Sequence, residues 1–584
     1  MYDDLKEMLA QGLYQDALKE IEQYDISEYT EELLIIAASA LIAVEEYGTA
    51  RRYLQIGLQR NPENAEFYLL LGNCYECCNL MQAYLCYENA EIYCEDPQDK
   101  QVIRDFMRNL ETEGDLHYRR VAIVILSYNT YEMTRFCIES IRRNNAPGSY
   151  EIIVVDNAST DASLDWLERQ SDIVLIKNSE NKGFPYGCNQ GMEAADPEAD
   201  ILLLNSDTIL FPNSLFWLRM GLYERDDIGA TGAVTNYASN GQTIDERFDT
   251  IQEYEQYALR NNVLRDDPYE RKIYLVGFAV LIRREVLDEV GGLDVRYSPG
   301  QFEDCDLGVR LCQKGYQNIL CHNSFIYHFG NGAGQNSLIW QEQYRRNKEI
   351  FKDKWGFDIT YYSQVRTEIV ELLDCPEDAS IHVLEVGCGL GATLGRIQFQ
   401  FSRSHVYGIE LVPDVARIGG CGLNIVQGDI EKDEFPYKDV KFDYIILADV
   451  LEHLHEPEQI ILQLKRYLKE EGAFLCSIPN LMNLSVIYPL LQGKFEYAEA
   501  GILDRTHIRF FTLESILRLF SRCGFHIENL QSLGSDKWDE MEWRCLENIL
   551  QIPGCAEKEQ FLAWQYLFRA RAINNRDHAE RQRQ

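Results

Sequence analysis

Two stretches of the chain concentrate residue types that can do chemistry. In the first, amides and carboxylates recur in short runs: Ser127-Tyr128-Asn129, Asp156-Asn157-Ala158-Ser159-Thr160-Asp161, Asn181-Lys182-Gly183, Asn189-x-Gly191 and Asn205-x-Asp207. Downstream, Gly291-Gly292-Leu293-Asp294 precedes Phe302-Glu303-Asp304-Cys305-Asp306, and His328 closes the series. Such carboxylates can hold a hard divalent cation through oxygen, with imidazole tolerated by Mn2+. They can also take a proton from a hydroxyl. Alone, a Glu-Asp-x-Asp run is equally a capped, solvated helix start. The second stretch holds Glu385-Val386-Gly387-Cys388-Gly389-Leu390-Gly391-Ala392, with Glu410 lying 19 residues beyond Gly391. Glycine lets the backbone approach a ligand closely, and the acid suits a nucleoside with free ribose hydroxyls. The spacing leaves the cofactor open, because Gly387-x-Gly389-x-x-Ala392 also satisfies a nicotinamide dinucleotide fingerprint. Gly428-Asp429 and Asp449-Val450-Leu451-Glu452-His453 follow.

These residues need strands to position them. Val121–Tyr128 and Glu151–Asn157 are apolar runs of the kind that form parallel strands buried on both faces. A helix-like stretch separates them, which is βαβ spacing. Further strands are expected at Ile173–Lys177 and Ile201–Asn205. A second α/β pattern runs through Ile381–Val386, Val406–Leu411, Asn424–Gln427, Tyr444–Ala448 and Ala473–Ile478, with the boundary somewhere in 355–378. In both patterns the polar residues fall at the carboxyl ends of strands, where open α/β sheets bind ligands. Residues 1–117 read as helical throughout. Tyr14-x-x-Ala17 recurs as Tyr47-x-x-Ala50, and Ala38 and Gly72 are 34 residues apart. With Tyr68, Leu71, Gly72, Tyr75, Pro62 and Pro97, this segment resembles a tetratricopeptide repeat.

The motif series of the first stretch resembles the family 2 inverting glycosyltransferases of the GT-A fold, in the branch of bacterial rhamnosyl- and galactofuranosyltransferases. The likeness spans roughly 119–355 and six ordered motifs. It implies a nucleotide-sugar donor, a glycan or lipid-linked glycan acceptor, and Mg2+ or Mn2+ against the leaving diphosphate. Asp156 is expected to read the base, and Asn129, Asn157, Lys182, Asn189 and Asn205 to line the donor site. Asp207 is the expected metal ligand, and the resemblance adds His328. The family's paired acid is here Asn205-x-Asp207, so one carboxylate is missing. The resemblance places the general base in Glu303-Asp304, with Asp304 favoured; Glu303 would hold the acceptor and Asp306 fix the helix end.

The second stretch resembles class I S-adenosylmethionine-dependent methyltransferases over roughly 362–540, a likeness extended by Ser477-Ile478-Pro479-Asn480 and Asp504–Phe511. It implies that Glu385, Gly387, Gly389 and Gly391 meet the methionine part, Glu410 the ribose, Asp429 the adenine amine, and Asp449 the pocket wall. Methyl transfer to oxygen needs in-line placement and a base near the hydroxyl. His453 and His507 are the candidates, with Glu452 orienting one of them.

The expected architecture is therefore multidomain: an all-α repeat at 1–117, a GT-A α/β domain at 118–358, and a Rossmann-like methyltransferase domain at 362–584. The 584 residues allow this. Asp and Glu number 94 against 56 Lys and Arg, a formal net charge of −38. That surface disfavours nucleic acid. Residues 1–117 hold 24 acidic and 8 basic side chains. The start, MYDDLKEML, lacks a signal peptide's pattern. The longest apolar stretch, Leu33–Val44, has 12 residues, short of the ~20 that span a bilayer. The 17 scattered cysteines suit a reducing compartment. A cytoplasmic enzyme, or one peripheral at the inner membrane face, is expected, working in surface polysaccharide assembly. A protein acceptor gripped by the repeats and a non-catalytic adaptor are the alternatives. Phe561–Arg569 is expected as a final helix packed on its domain, with a frayed basic end through Arg583; a membrane-surface helix is the alternative there.

Overall fold

The computed structural model describes residues 2–26, 29–114, 116–330, 338–534 and 538–573. They form two compact units, 1–358 and 359–584.

The first unit opens with seven helices: α1 (Asp3–Ala10), α2 (Tyr14–Ile21), α3 (Glu31–Ala43), α4 (Tyr47–Arg60), α5 (Ala65–Tyr75), α6 (Leu80–Tyr93) and α7 (Pro97–Thr112). Thr30, Asn64, Asn79 and Asp96 cap four of them by accepting from backbone N–H groups of the first turn. Small residues let neighbouring helices close on each other. A Cβ added at Gly72 would sit 2.3 Å from the Tyr87 ring, and one at Gly57 would sit 2.4 Å from Phe67.

The helices do not stand apart from the α/β region that follows. Their apolar core takes in Phe216, Trp217, Met220 and Leu264. Polar groups pair across the same junction. Arg219, with 3% of its side chain exposed, meets Glu88 at 2.5 Å. The Asn213 amide donates to Tyr68 at 2.9 Å and accepts from Tyr93 at 2.9 Å. Gln82 and Asn79 donate to the carbonyls of Met220 and Tyr223. One face of the helical segment is thus consumed by the helix Ser214–Leu222 and its flanks.

The sheet of this unit contains β1 (Val121–Ser127), β2 (Tyr150–Asp156), β3 (Ile173–Lys177), β4 (Asp200–Asn205), β5 (Thr208–Leu210), β6 (Ile228–Val234), β7 (Tyr269–Lys272), β8 (Ala279–Ile282) and β9 (Gln317–His328). Its order is β3-β2-β1-β4-β8-β6-β9-β5, with β7 also on β9. β3, β2, β1 and β4 are parallel, and β8 runs antiparallel to β4 and β6. Strand order reverses around β1, so the loops after β1, β2 and β4 gather at one crevice.

The second unit contains β10 (His382–Val386), β11 (His405–Glu410), β12 (Asn424–Gln427), β13 (Phe442–Ala448), β14 (Leu468–Pro479), β15 (Phe525–Gly534) and β16 (Ala563–Ala572). Its order is β12-β11-β10-β13-β14-β16-β15, parallel through β14. The switch point lies at β10.

The expected final helix is corrected here. A short helix, Lys558–Leu562, gives way to β16, which pairs antiparallel with both β14 and β15. Phe568 and Ala570 are buried while Arg569 and Arg571 point outward to Asp374 and Glu528. That two-residue alternation fits a strand, and the open edge of β14 supplies the partner. The basic end beyond 573 lies outside the described residues. Among the described residues no helix is long and apolar enough to cross a membrane.

Candidate functional sites

In the first unit, side-chain amides lace the crevice loops together. Asn129 is left-handed (φ +53°); its side-chain Oδ1 accepts from the Thr160 N–H at 2.7 Å, and its backbone N–H donates to Ser159 Oγ at 3.1 Å. Asn157 is 1% exposed. It donates to Asn181 and accepts from Asn178 and the Lys182 N–H. Asn189 closes a two-point clasp on Leu293, donating to its carbonyl and accepting from its N–H, both at 2.8 Å. Lys182 lies over the Tyr186 ring, 4.6 Å from its centre. Asp156 accepts from the Ser159 N–H through Oδ2, while its buried Oδ1 has no partner.

Asp207 and His328 come from β5's entrance and β9's end, which pair at Thr208 and His328. Asp207 Oδ1 and His328 Nε2 are 3.2 Å apart. His328 Nδ1 donates to the Tyr237 carbonyl at 2.8 Å, so a neutral ring turns its Nε2 lone pair toward Asp207. Burial pushes the His328 pKa down, but Asp207 outweighs it and the net shift is upward. An oxygen and an imidazole nitrogen side by side fit a divalent cation of the Mn2+ kind. Asn205, at the end of β4, donates its N–H to the Phe278 carbonyl at 2.8 Å.

Glu303 and Asp304 start the helix Glu303–Gln313, behind the left-handed pair Gln301 and Phe302. Asp304 accepts from the N–H groups of Gly277 at 3.2 Å and Cys305 at 2.8 Å. Burial raises its pKa. Glu303 is 7% exposed and its Oε2 has no partner; burial, then the neighbouring Asp304, pushes its pKa up to about 8. Both line a cavity with Phe184, Leu275 and Gly277. Asp306 is fully buried and accepts from Arg310 at 2.9 Å, Trp355 at 2.9 Å and Lys354 at 2.5 Å. It ties its helix to the helix Leu338–Trp355.

One link in this site was not expected from sequence. Gly277 holds Asp304, and the adjacent Phe278 stacks on His328 with ring centres 5.2 Å apart. The turn before β8 therefore joins the candidate base to the candidate metal ligands. Only the short Val276-Gly277-Phe278 run marks it in sequence.

In the second unit, Gly387, Gly389 and Gly391 all have φ between +55° and +74°. A Cβ on Gly389 would stand 2.8 Å from the Tyr362 carbonyl. The turn is held by Glu410, which accepts from the N–H groups of Gly389 and Val412, each at 2.9 Å. Glu385 is 4% exposed, its Oε2 has no partner, and burial pushes its pKa up to about 8. An orphaned acid behind a glycine turn fits a cationic ligand group. Arg366, absent from the expected site, donates to Asp449 at 2.8 Å and Ser477 at 3.0 Å. Asp449 is left-handed at φ +52° and also accepts from Ser477. Asp429 faces Lys432 at 2.7 Å, which lowers its pKa. His453 and His507 lie together, ring centres 4.8 Å apart, beside the buried Glu452.

Residues 122–291 match Glycosyl transferase family 2, and residues 357–530 match a Methyltransferase domain. An uncharacterised protein of Sinorhizobium fredii is 24% identical over 261 residues, covering 40% of this chain and 27% of its own length. A ubiquinone biosynthesis O-methyltransferase of Rickettsia canadensis is 26% identical over 178 residues, 29% of this chain and 73% of its own. The uncharacterised glycosyltransferase YfnE of Bacillus subtilis is 26% identical over 245 residues, 34% of this chain and 61% of its own. The chain thus spans about a quarter to three quarters of these relatives. Among solved structures, a Pyrobaculum calidifontis mannosyltransferase in complex with GDP-Man and Mn2+ aligns with 18% identity and TM-score 0.29, covering 45% of this chain and 72% of its own. A Mesorhizobium loti S-adenosylmethionine-dependent methyltransferase aligns with 18% identity and TM-score 0.25, covering 35% of this chain and 96% of its own.

Proposed function

We propose that this chain, a family 2 glycosyltransferase domain joined to a methyltransferase domain, transfers a sugar with inversion from a nucleotide-sugar donor to a glycan and methylates a glycan hydroxyl. The observation that supports the reading is the turn at Gly277-Phe278, where the Gly277 N–H holds Asp304 and the Phe278 ring stacks on His328, the neighbour of Asp207. A cation held by Asp207 and His328 supplies neutralisation of the leaving diphosphate. Burial and the neighbouring Asp304 favour the protonated form of Glu303, and Asp304, held by the N–H groups of Gly277 and Cys305, is the carboxylate aimed to accept the acceptor's proton. Asp156 keeps an unpartnered oxygen for the base's N–H.

S-adenosylmethionine supplies the electrophilic methyl group. Glu410 holds the ribose hydroxyls, Glu385 the ammonium, and Arg366 the carboxylate end. The domains are taken as 1–117, 118–358 and 362–584, with the tetratricopeptide-like repeat acting as scaffold for the glycosyltransferase. The setting is cytoplasmic assembly of a surface polysaccharide, on a free or lipid-linked glycan at the inner membrane face.

The test incubates the full chain with a panel of nucleotide sugars, Mn2+ and glycan acceptors. Release of nucleoside diphosphate with one donor supports the first activity, and S-adenosylhomocysteine formation supports the second. Product from neither, with a folded chain, overturns the reading.

A further inference from the structure

Glu452, His453 and His507 offer three ligand atoms within 4.8 Å of one another. The loop after β13 supplies the first two, and a later segment supplies the third. The two segments are zipped together by the N–H groups of Ile508 and Arg509, both donating to the Glu452 carbonyl. Each imidazole is set by the hydrogen bond its other nitrogen makes. His453 Nδ1 lies 3.1 Å from the Thr506 carbonyl, and His507 Nδ1 lies 2.9 Å from the Ile502 carbonyl. A carbonyl can only accept, so both Nδ1 atoms carry hydrogen and both Nε2 lone pairs are free. His507 Nε2 points at Glu452 Oε1, 4.0 Å away.

The second observation is Glu452 itself. It is 1% exposed, and neither carboxylate oxygen has a hydrogen-bond partner. A buried carboxylate without a partner is costly. Asp449, three residues earlier, does not relieve it, being engaged by Arg366 and Ser477.

We propose that Glu452, His453 and His507 form a divalent-cation site beside the methyl-transfer pocket. Two neutral imidazoles and a carboxylate select a borderline ion of the Zn2+, Co2+ or Mn2+ class over Ca2+. The ligand atoms lie within 4.8 Å of one another and draw in on binding toward the ~3.4 Å implied by bonds of about 2.1 Å to a tetrahedral ion. Three protein ligands leave a fourth position open, as in catalytic sites. The ion's role rests on the methyltransferase reading. The acceptor hydroxyl takes the open position and loses its proton to water. Its oxygen lone pair then forms the new C–O bond, while the C–S pair returns to sulfur.

The experiment uses the full chain carrying D207A, which removes the candidate cation ligand of the first unit. The chain is stripped with chelator and titrated with Zn2+ by calorimetry and with Co2+ by visible absorption. Expected are a single tight Zn2+ and Co2+ d–d bands, both weakened about tenfold or more by E452Q and by H453A. H453A alters a partly exposed side chain, so it serves should H507A fail to fold. Circular dichroism and the melting midpoint check the fold of each variant, and S-adenosylmethionine binding is measured beside them. No ion bound to the D207A chain, or binding unchanged by H453A, overturns the site. Zn2+ bound normally by a chain that never binds S-adenosylmethionine supports the site and instead overturns the methyltransferase reading.

Discussion

The two units build their crevices from opposite materials. In the glycosyltransferase unit, Asn129, Asn157 and Asn189 spend their amides on backbone, and Asn157 also on the amides of Asn178 and Asn181. In the methyltransferase unit, three left-handed glycines clear space and Glu410 pins the turn through backbone N–H groups. The same contrast separates residues that position from residues that bind. Amides bonded across neighbouring turns hold loops. The buried carboxylate oxygens left without partners, on Asp156, Glu303, Glu385 and Glu452, are where ligand chemistry is to be sought.

The largest effect should fall on a residue that reacts. Asp304→Asn keeps shape and removes basicity, so sugar transfer should drop about 10²–10⁴-fold with methyl transfer unchanged. Parallel assays of both activities on the one variant check this. A drop in both would erase the distinction between the units.

Next comes the glycine turn. Gly389→Ala places a Cβ against the Tyr362 carbonyl in a left-handed conformation. S-adenosylmethionine binding should weaken about tenfold or more, since the conformation alone costs roughly 1–2 kcal/mol. Calorimetric titration reads this directly, and unchanged affinity would show that the turn is not the cofactor cradle.

A positioning amide should act through stability. Asn189→Ala frees the Gly292-Leu293 turn, and about 1–3 kcal/mol should be lost from the first unit. Denaturant unfolding should show this, with donor affinity changing less than stability.

The smallest effect is a pH slope. Folding raises the Glu385 pKa to about 8, above the ordinary glutamate value. Its contribution to stability is therefore present in acid and is lost as pH rises through about 8. The melting midpoint of the second unit should fall between pH 5 and pH 9. Glu385→Gln should flatten that fall without touching the first unit's transition. A wild-type midpoint flat across this range would mean the carboxyl is not buried in solution.

The central strands were legible because parallel strands covered on both faces read as continuous apolar runs. The expected Val121–Tyr128, Ile173–Lys177 and Asn424–Gln427 lie within a residue of β1, β3 and β12. Polar residues at their ends marked the crevices for the same reason. Arg366 was not legible. It sits in the motif-free boundary segment, and its partners Asp449 and Ser477 lie 83 and 111 residues away. The turn at Gly277-Phe278 escaped likewise, since its meaning lies in contacts to Asp304 and His328.

What the sequence alone determined is therefore local: strand cores, glycine turns, caps, and the order of the motifs along each α/β pattern. These follow from side-chain size, backbone freedom and apolar periodicity within a few residues. Tertiary structure alone decided the rest. It made Phe561–Arg569 continue into a strand because the edge of β14 was open to pair. It joined the N-terminal helices to Ser214–Leu222 because Arg219 needed Glu88 and Trp217 an apolar partner face. It also sorted satisfied amides from orphaned carboxylates, since a polar group's fate depends on what distant segments bring within about 3 Å.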